Sequence, residues 1–165
     1  MMRTPAALLL LPVWLWPGPA AAQGRPPQPL TWAMKVGQPA AGLKAGDTFE
    51  AAITVKVEDG WHVYAADEVP DGPKPLLIKL AEDSPFRGGG KLKAPEPERE
   101  MDESFGVVTP FYKADTTFTL PVAVPGNLAA GTYGLVVDVA FQACNGLICL
   151  PARTTVLKTT LSITN

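Results

Sequence analysis

The residues of this chain best suited to chemistry are its two cysteines, Cys144 and Cys149. They share the stretch Phe141-Gln142-Ala143-Cys144-Asn145-Gly146-Leu147-Ile148-Cys149-Leu150-Pro151. Asn145-Gly146 is a strong turn signal, because both residue types tolerate positive φ. The stretch therefore predicts two strands meeting at a turn with a thiol on each side. Two registers fit. With Asn145-Gly146 as a two-residue turn, the cysteines lie diagonally, about 7–8 Å apart at Cα. That is at or beyond the usual disulfide limit of about 6.8 Å. With a loop from Asn145 to Ile148, they face each other at about 4.5–5.5 Å and bridge readily. Either way the bond closes a short loop and contributes only about 2 kcal/mol in the chain-entropy description. A pair so weak as a staple is better suited to thiol–disulfide exchange, with a local structural bond as the competing reading.

Few other residues compete for a chemical role. His62 is the only histidine. Beside Trp61 in a short strand, its ordinary role is half-buried structure. Cys144, Cys149 and His62 would make an incomplete metal set, since structural zinc takes four protein ligands. Glu96, Glu98, Glu100, Asp102 and Glu103 form an acidic run, either a solvated loop or a source of carboxylates near the thiols. Carboxylates there disfavour a thiolate and can shuttle protons. No Gly-rich phosphate loop and no nucleophile elbow is present, so a hydrolase finds no support.

The elements that must position these groups read as strands. Phe49, Ala51, Ile53, Val55 and Val57 alternate with polar residues, as expected for a sheet with one buried face. Strands are also predicted over Leu30 to Val36, Trp61 to Ala65, Leu76 to Leu80, Phe111 to Ala114, Thr116 to Val124 and Thr154 to Ile163. Pro121 favours an edge or a bulge. The longest strand runs from Tyr133 to Cys144, with Tyr133, Leu135, Val137, Val139, Phe141 and Ala143 on the core face. Cys144 then falls on the more polar side, away from the main core. Leu43 to Asp47, Asp67 to Pro75, Glu82 to Gly90 and Pro125 to Gly131 read as turns and loops. No amphipathic helix and no internal repeat is found. The expected fold class is all-β, an immunoglobulin-like antiparallel β-sandwich.

Composition sets the compartment. Residues 1–22 read as a secretory signal peptide, with Arg3 at the start, an apolar run from Ala6 to Leu15, and Ala20-Ala21-Ala22 before Gln23. Residues 23–29 are a proline-rich extended segment, and residues 30–165 one domain. The whole chain has 165 residues and a formal charge of −2, and the leader carries only Arg3, so the mature chain is one unit more negative. With no basic patch, nucleic-acid binding is not expected. No stretch of the mature chain is long enough to span a bilayer. Export places the cysteines where disulfides form.

Three stretches together resemble one family. They are Asp59-Gly60-Trp61-His62-Val63-Tyr64, Asp102-Glu103-Ser104-Phe105-Gly106, and Phe141-Gln142-Ala143-Cys144 with Cys149-Leu150-Pro151. In order and spacing they are similar to the N-terminal periplasmic domain of the thiol:disulfide interchange protein DsbD, over roughly Leu30 to Ile163. The resemblance implies Cys144 and Cys149 as the exchanging pair, with either one able to attack first. It implies a shielding cap loop, here Met101 to Gly106, placing Asp102 and Glu103 near the sulfurs and His62 and Tyr64 beneath them. Ser104 stands where the family's cap often has an aromatic, which leaves Phe105 to cover the sulfurs. Ala152 stands where a second proline is common. The implied function passes electrons from a membrane-embedded thiol reductase to periplasmic thioredoxin-like proteins, including disulfide isomerases and cytochrome c maturation factors. The chain ends at Asn165 without a transmembrane relay, so the donor is expected to be a separate protein. No cofactor, no metal and a monomer are expected. The alternative is a non-enzymatic immunoglobulin-like protein-binding module with a structural disulfide. Metal delivery by Cys144, Cys149 and His62 is a third reading.

Overall fold

The structure, a computed structural model, describes residues 27–37 and 42–165. The signal peptide expected at 1–22 and residues 23–26 of the proline-rich segment lie outside the described residues. Twelve strands follow in chain order: β1 (Leu30–Val36), β2 (Leu43–Lys44), β3 (Thr48–Val57), β4 (His62–Tyr64), β5 (Leu77–Leu80), β6 (Arg87–Gly88), β7 (Glu98–Asp102), β8 (Val107–Tyr112), β9 (Thr116–Ala123), β10 (Gly131–Phe141), β11 (Ala143–Cys144) and β12 (Arg153–Thr164). Among the described residues no helix is long and apolar enough to cross a membrane.

Two four-stranded sheets face each other, in the orders β1-β3-β9-β6 and β2-β12-β10-β5. The alternation read in the sequence explains why they stack. Phe49, Ala51, Ile53 and Val55 of β3 and Phe118, Leu120 and Val122 of β9 point inward and are buried. They meet Leu135, Val137 and Val139 of β10 and Leu161 and Ile163 of β12, also buried. Each Val, Leu, Ile or Phe among them contributes about 1.5–3 kcal/mol relative to exposure. Trp32 of β1 closes one end of this core, its ring 5.3 Å from Phe141 and 6.2 Å from Phe118. The strand order is that of an immunoglobulin-like sandwich. One sheet reads A-B-E-D and the other C-F-G, with β2 added in parallel to β12.

The register shows where the site must form. Val55 near the end of β3 pairs with Thr116 at the start of β9. Ala140 near the end of β10 pairs with Leu77 at the start of β5, and Phe141 with Arg153 at the start of β12. The connections β3–β5, β6–β9 and β10–β12 therefore emerge at the same end of the sandwich. Each carries extra strands, and these combine into a third sheet in the order β11-β4-β8-β7.

Several sequence expectations change here. The strand predicted from Tyr133 to Cys144 stops at Phe141, and after Gln142 the chain switches to the third sheet as β11. Cys144 is consequently buried in a small apolar cluster of its own, still separate from the main core, rather than lying on a polar face. The turn at Leu43 to Asp47 contains β2, and the loop at Glu82 to Gly90 contains β6. Both are two-residue strands defined by their partners and too short to show a local period. The polar stretch up to Glu100 enters β7, whose exposed positions carry no apolar alternation. The strand predicted from Phe111 begins earlier, at Val107, and ends at Tyr112. Pro121 lies inside β9, where its carbonyl accepts the Gly89 N–H at 2.9 Å.

Candidate redox site

Cys144 and Cys149 form a disulfide with a Cα–Cα distance of 4.1 Å. They face each other as an antiparallel bridge. The Asn145 N–H donates to the Ile148 carbonyl at 3.1 Å, and the Leu150 N–H to the Ala143 carbonyl at 2.9 Å. Between those two bonded pairs the cysteines occupy the non-hydrogen-bonded position, where opposed Cα atoms come closest. Of the two registers open from sequence, the loop running from Asn145 to Ile148 is the one adopted. Its turn is held by the Asn145 side chain, whose Oδ1 accepts the Leu147 N–H at 3.1 Å and the Ile148 N–H at 2.9 Å. Gly146 supplies the positive φ of 79°.

The two sulfurs are not equivalent. Cys144 is 1% exposed, whereas Cys149 is half-buried. Cys144 packs with Tyr64 and Phe111, and Phe105 and Cys149 close over them. The Tyr64 hydroxyl lies 2.9 Å from Cys144 Sγ and 3.7 Å from Cys149 Sγ. It donates to Asp102 Oδ2 at 2.5 Å. Burial, then the neighbouring carboxylate of Asp102, pushes the Tyr64 phenol far above its ordinary value, so it keeps its proton.

Asp102 sits at the end of β7, where the chain turns into the cap. Its backbone carbonyl accepts the Gly106 N–H at 2.7 Å and the Phe105 N–H at 3.3 Å, and its Oδ1 accepts the Ser104 N–H at 2.9 Å. One residue thus shapes the cap and presents its other oxygen to Tyr64. Thr109, fully buried on the adjacent β8, donates a long 3.5 Å bond to the same Oδ2. The cap brings Phe105 edge-on to Tyr64, ring centroids 6.0 Å apart. Ser104 and Glu103 are exposed, and Glu103 lines a groove shared with His62, Met101 and Asn145.

His62 pairs directly with Cys144 across the β4–β11 ladder. Its ring lies 4.9 Å from Phe111 and 5.1 Å from Tyr64. Nε2 is buried without a hydrogen-bond partner. Burial lowers its pKa below the usual 6.5, opposed by the field of Asp102. The structure thus gathers Cys144, Cys149, Tyr64, Asp102, Phe105 and His62 at one end of the sandwich, with Glu103 on the rim. Phe111 and Thr109 were missed as site residues. Phe111 was visible as an apolar residue within a strand, but nothing local marked either as facing the sulfurs. Among the described residues no group of three or more His, Cys, Asp or Glu side chains is arranged to hold a metal ion. The two sulfurs weighed as ligands are bonded to each other.

The site is a disulfide at the mouth of an immunoglobulin-like sandwich, one sulfur buried against a phenol and the other half-open. Residues 33–161 match the family model described as thiol:disulfide interchange protein DsbD, N-terminal, and the chain belongs to that family. Among solved structures it is similar to the crystal structure of the Neisseria meningitidis DsbD N-terminal domain in the reduced form. That match has 17% identity and a TM-score of 0.48, and covers 73% of this chain and 85% of that one. Comparison with curated protein sequences finds no match.

Proposed function

We propose that the protein is a periplasmic, monomeric electron carrier that cycles between the Cys144–Cys149 disulfide and its dithiol. Electrons enter from a membrane-embedded thiol reductase and leave to thioredoxin-like proteins of the same compartment. The leader at 1–22 supports export, and family membership supports the exchange chemistry. The observation that carries the reading is the inequality of the sulfurs, with Cys149 half-buried and Cys144 sealed against Tyr64.

Reduction proceeds by two displacements. A donor thiolate attacks Cys149 Sγ, the S–S bond breaks, and its electron pair leaves with Cys144 Sγ as a thiolate. The donor's second thiolate then attacks its own sulfur in the mixed disulfide and expels Cys149. The donor ends as a disulfide, and its two protons reside on Cys144 and Cys149. Oxidation by an acceptor is the reverse. Tyr64 stands beside Cys144, the leaving sulfur when the disulfide is opened and the attacking sulfur when it reforms, and Asp102 fixes the direction of its hydroxyl. Phe105 restricts access to the pair until a partner displaces the cap. Leu147, 89% exposed at the hairpin tip, and Met101, 62% exposed at the base of the cap, offer apolar contacts to that partner.

Trapping tests this assignment. Cys144→Ser leaves Cys149 as the sole thiol and should accumulate a mixed disulfide with a thioredoxin-like partner. Cys149→Ser should not, because its remaining thiol is buried. The reverse order of trapping would contradict the assignment of Cys149 as the attacked sulfur.

A further inference from the structure

Gln142 is the residue at which the chain leaves β10 and enters the third sheet, and its polar groups reach three separate segments. Its backbone carbonyl accepts the Tyr64 N–H at 3.3 Å. Its side-chain Oε1 accepts the Lys74 N–H at 2.8 Å, and its Nε2 donates to the Leu150 carbonyl at 3.3 Å. The amide has only one orientation that satisfies both side-chain contacts, since Lys74 offers a donor and Leu150 an acceptor. The Lys74 end is a fixed point. Pro73 and Leu76 on either side are buried, and the Leu76 N–H donates to the Ala65 carbonyl at 2.9 Å. The Leu150 end belongs to the return arm of the disulfide hairpin, immediately after Cys149.

We propose that Gln142 is a positioning residue whose side-chain amide braces the return arm of the Cys144–Cys149 hairpin against the fixed loop around Lys74, holding the two sulfurs apposed once their bond is broken. The inference rests on the exchange reading above and adds a determinant of its equilibrium. In the disulfide form the hairpin is closed covalently. In the dithiol form two backbone bonds, the Asn145 side-chain bonds within the turn and this brace keep its arms together. Without the brace the reduced hairpin gains open conformations, the effective concentration of one thiol at the other falls, and disulfide formation becomes less favourable.

The test equilibrates the purified protein with reduced and oxidised dithiothreitol, so that each protein disulfide reduced converts one dithiol to its cyclic disulfide. Gln142→Ala should lower the equilibrium constant for forming the Cys144–Cys149 bond by about threefold to tenfold, a rise of roughly 15–30 mV in reduction potential. Gln142→Glu keeps an acceptor for Lys74 but has no donor for Leu150, and should shift the constant in the same direction. It also carries the test should the alanine variant not fold. A residue of merely structural importance would lower the thermal midpoints of oxidised and reduced protein alike. Constants within about twofold of wild type in both variants would overturn the brace while leaving the exchange reading intact. A wild-type pair that dithiothreitol cannot reduce would instead sink the exchange reading, and the brace with it.

Discussion

The Tyr64 hydroxyl has a single proton and lies between two acceptors, Asp102 Oδ2 at 2.5 Å and Cys144 Sγ at 2.9 Å. With the disulfide intact the carboxylate is the stronger acceptor. In the proposed exchange Cys144 leaves as a thiolate, and the sulfur then competes for the same proton. A hydrogen bond to a charged group contributes about 1.5–3 kcal/mol. Tyr64→Phe should therefore slow reduction of the disulfide by about ten- to hundredfold and raise the pKa of the Cys144 thiol. Unchanged exchange kinetics would remove Tyr64 from the mechanism. His62 makes a second prediction at this scale. Its folded pKa lies below the ordinary 6.5, so as pH falls the unfolded chain takes up the proton first. The stability due to neutral His62 is fully present above about pH 6.5. It drains as pH falls from there through the lowered folded value, at up to about 1.4 kcal/mol per pH unit. His62→Phe keeps a ring against Phe111 and should flatten the stability profile as pH falls below about 6.5 in denaturant titrations. A variant whose profile parallels wild type would show that His62 does not carry the slope.

The hairpin that holds the cysteines was partly legible. Asn145-Gly146 announced a turn, and the turn is there, with Gly146 at φ 79°. The choice between its two registers was not legible, because it depends on the Asn145 side chain capturing the N–H groups of Leu147 and Ile148. Gly146→Ala meets no steric neighbour, so only the left-handed backbone is penalised, by about 1 kcal/mol. Thermal unfolding of the oxidised protein should show that modest loss, and a far larger loss would mean the turn has a packing role. The switch at Gln142 was hidden for a different reason. The alternation of β10 continues through Phe141, Gln142 and Ala143 without a break, and no local signal marks the transfer to another sheet. Two-residue strands such as β2 and β6 are likewise invisible, since they exist only through their partners.

Across the whole molecule, the sandwich follows from patterning and the site from topology. Alternating apolar residues in β3 and β10, with further strands recurring between turn signals, were enough to argue an antiparallel sandwich. No periodicity could place Tyr64 against Asp102, 38 residues away, or against Cys144, 80 residues away. Those contacts exist because three connections at one end of the sandwich each lend strands to a shared third sheet. In the sequence the same convergence was reachable only through resemblance to a family. The arrangement leaves the core intact beneath a small, separately packed site, which suits a bond that must break and reform without unfolding the domain. The most direct test is the reduction potential of the Cys144–Cys149 pair, measured by equilibrating the purified protein in thiol buffers and counting free thiols. An electron carrier requires a value of about −180 to −270 mV with the fold retained in the dithiol form. A potential below about −300 mV, or loss of the fold on reduction, would make the bond structural and contradict the account.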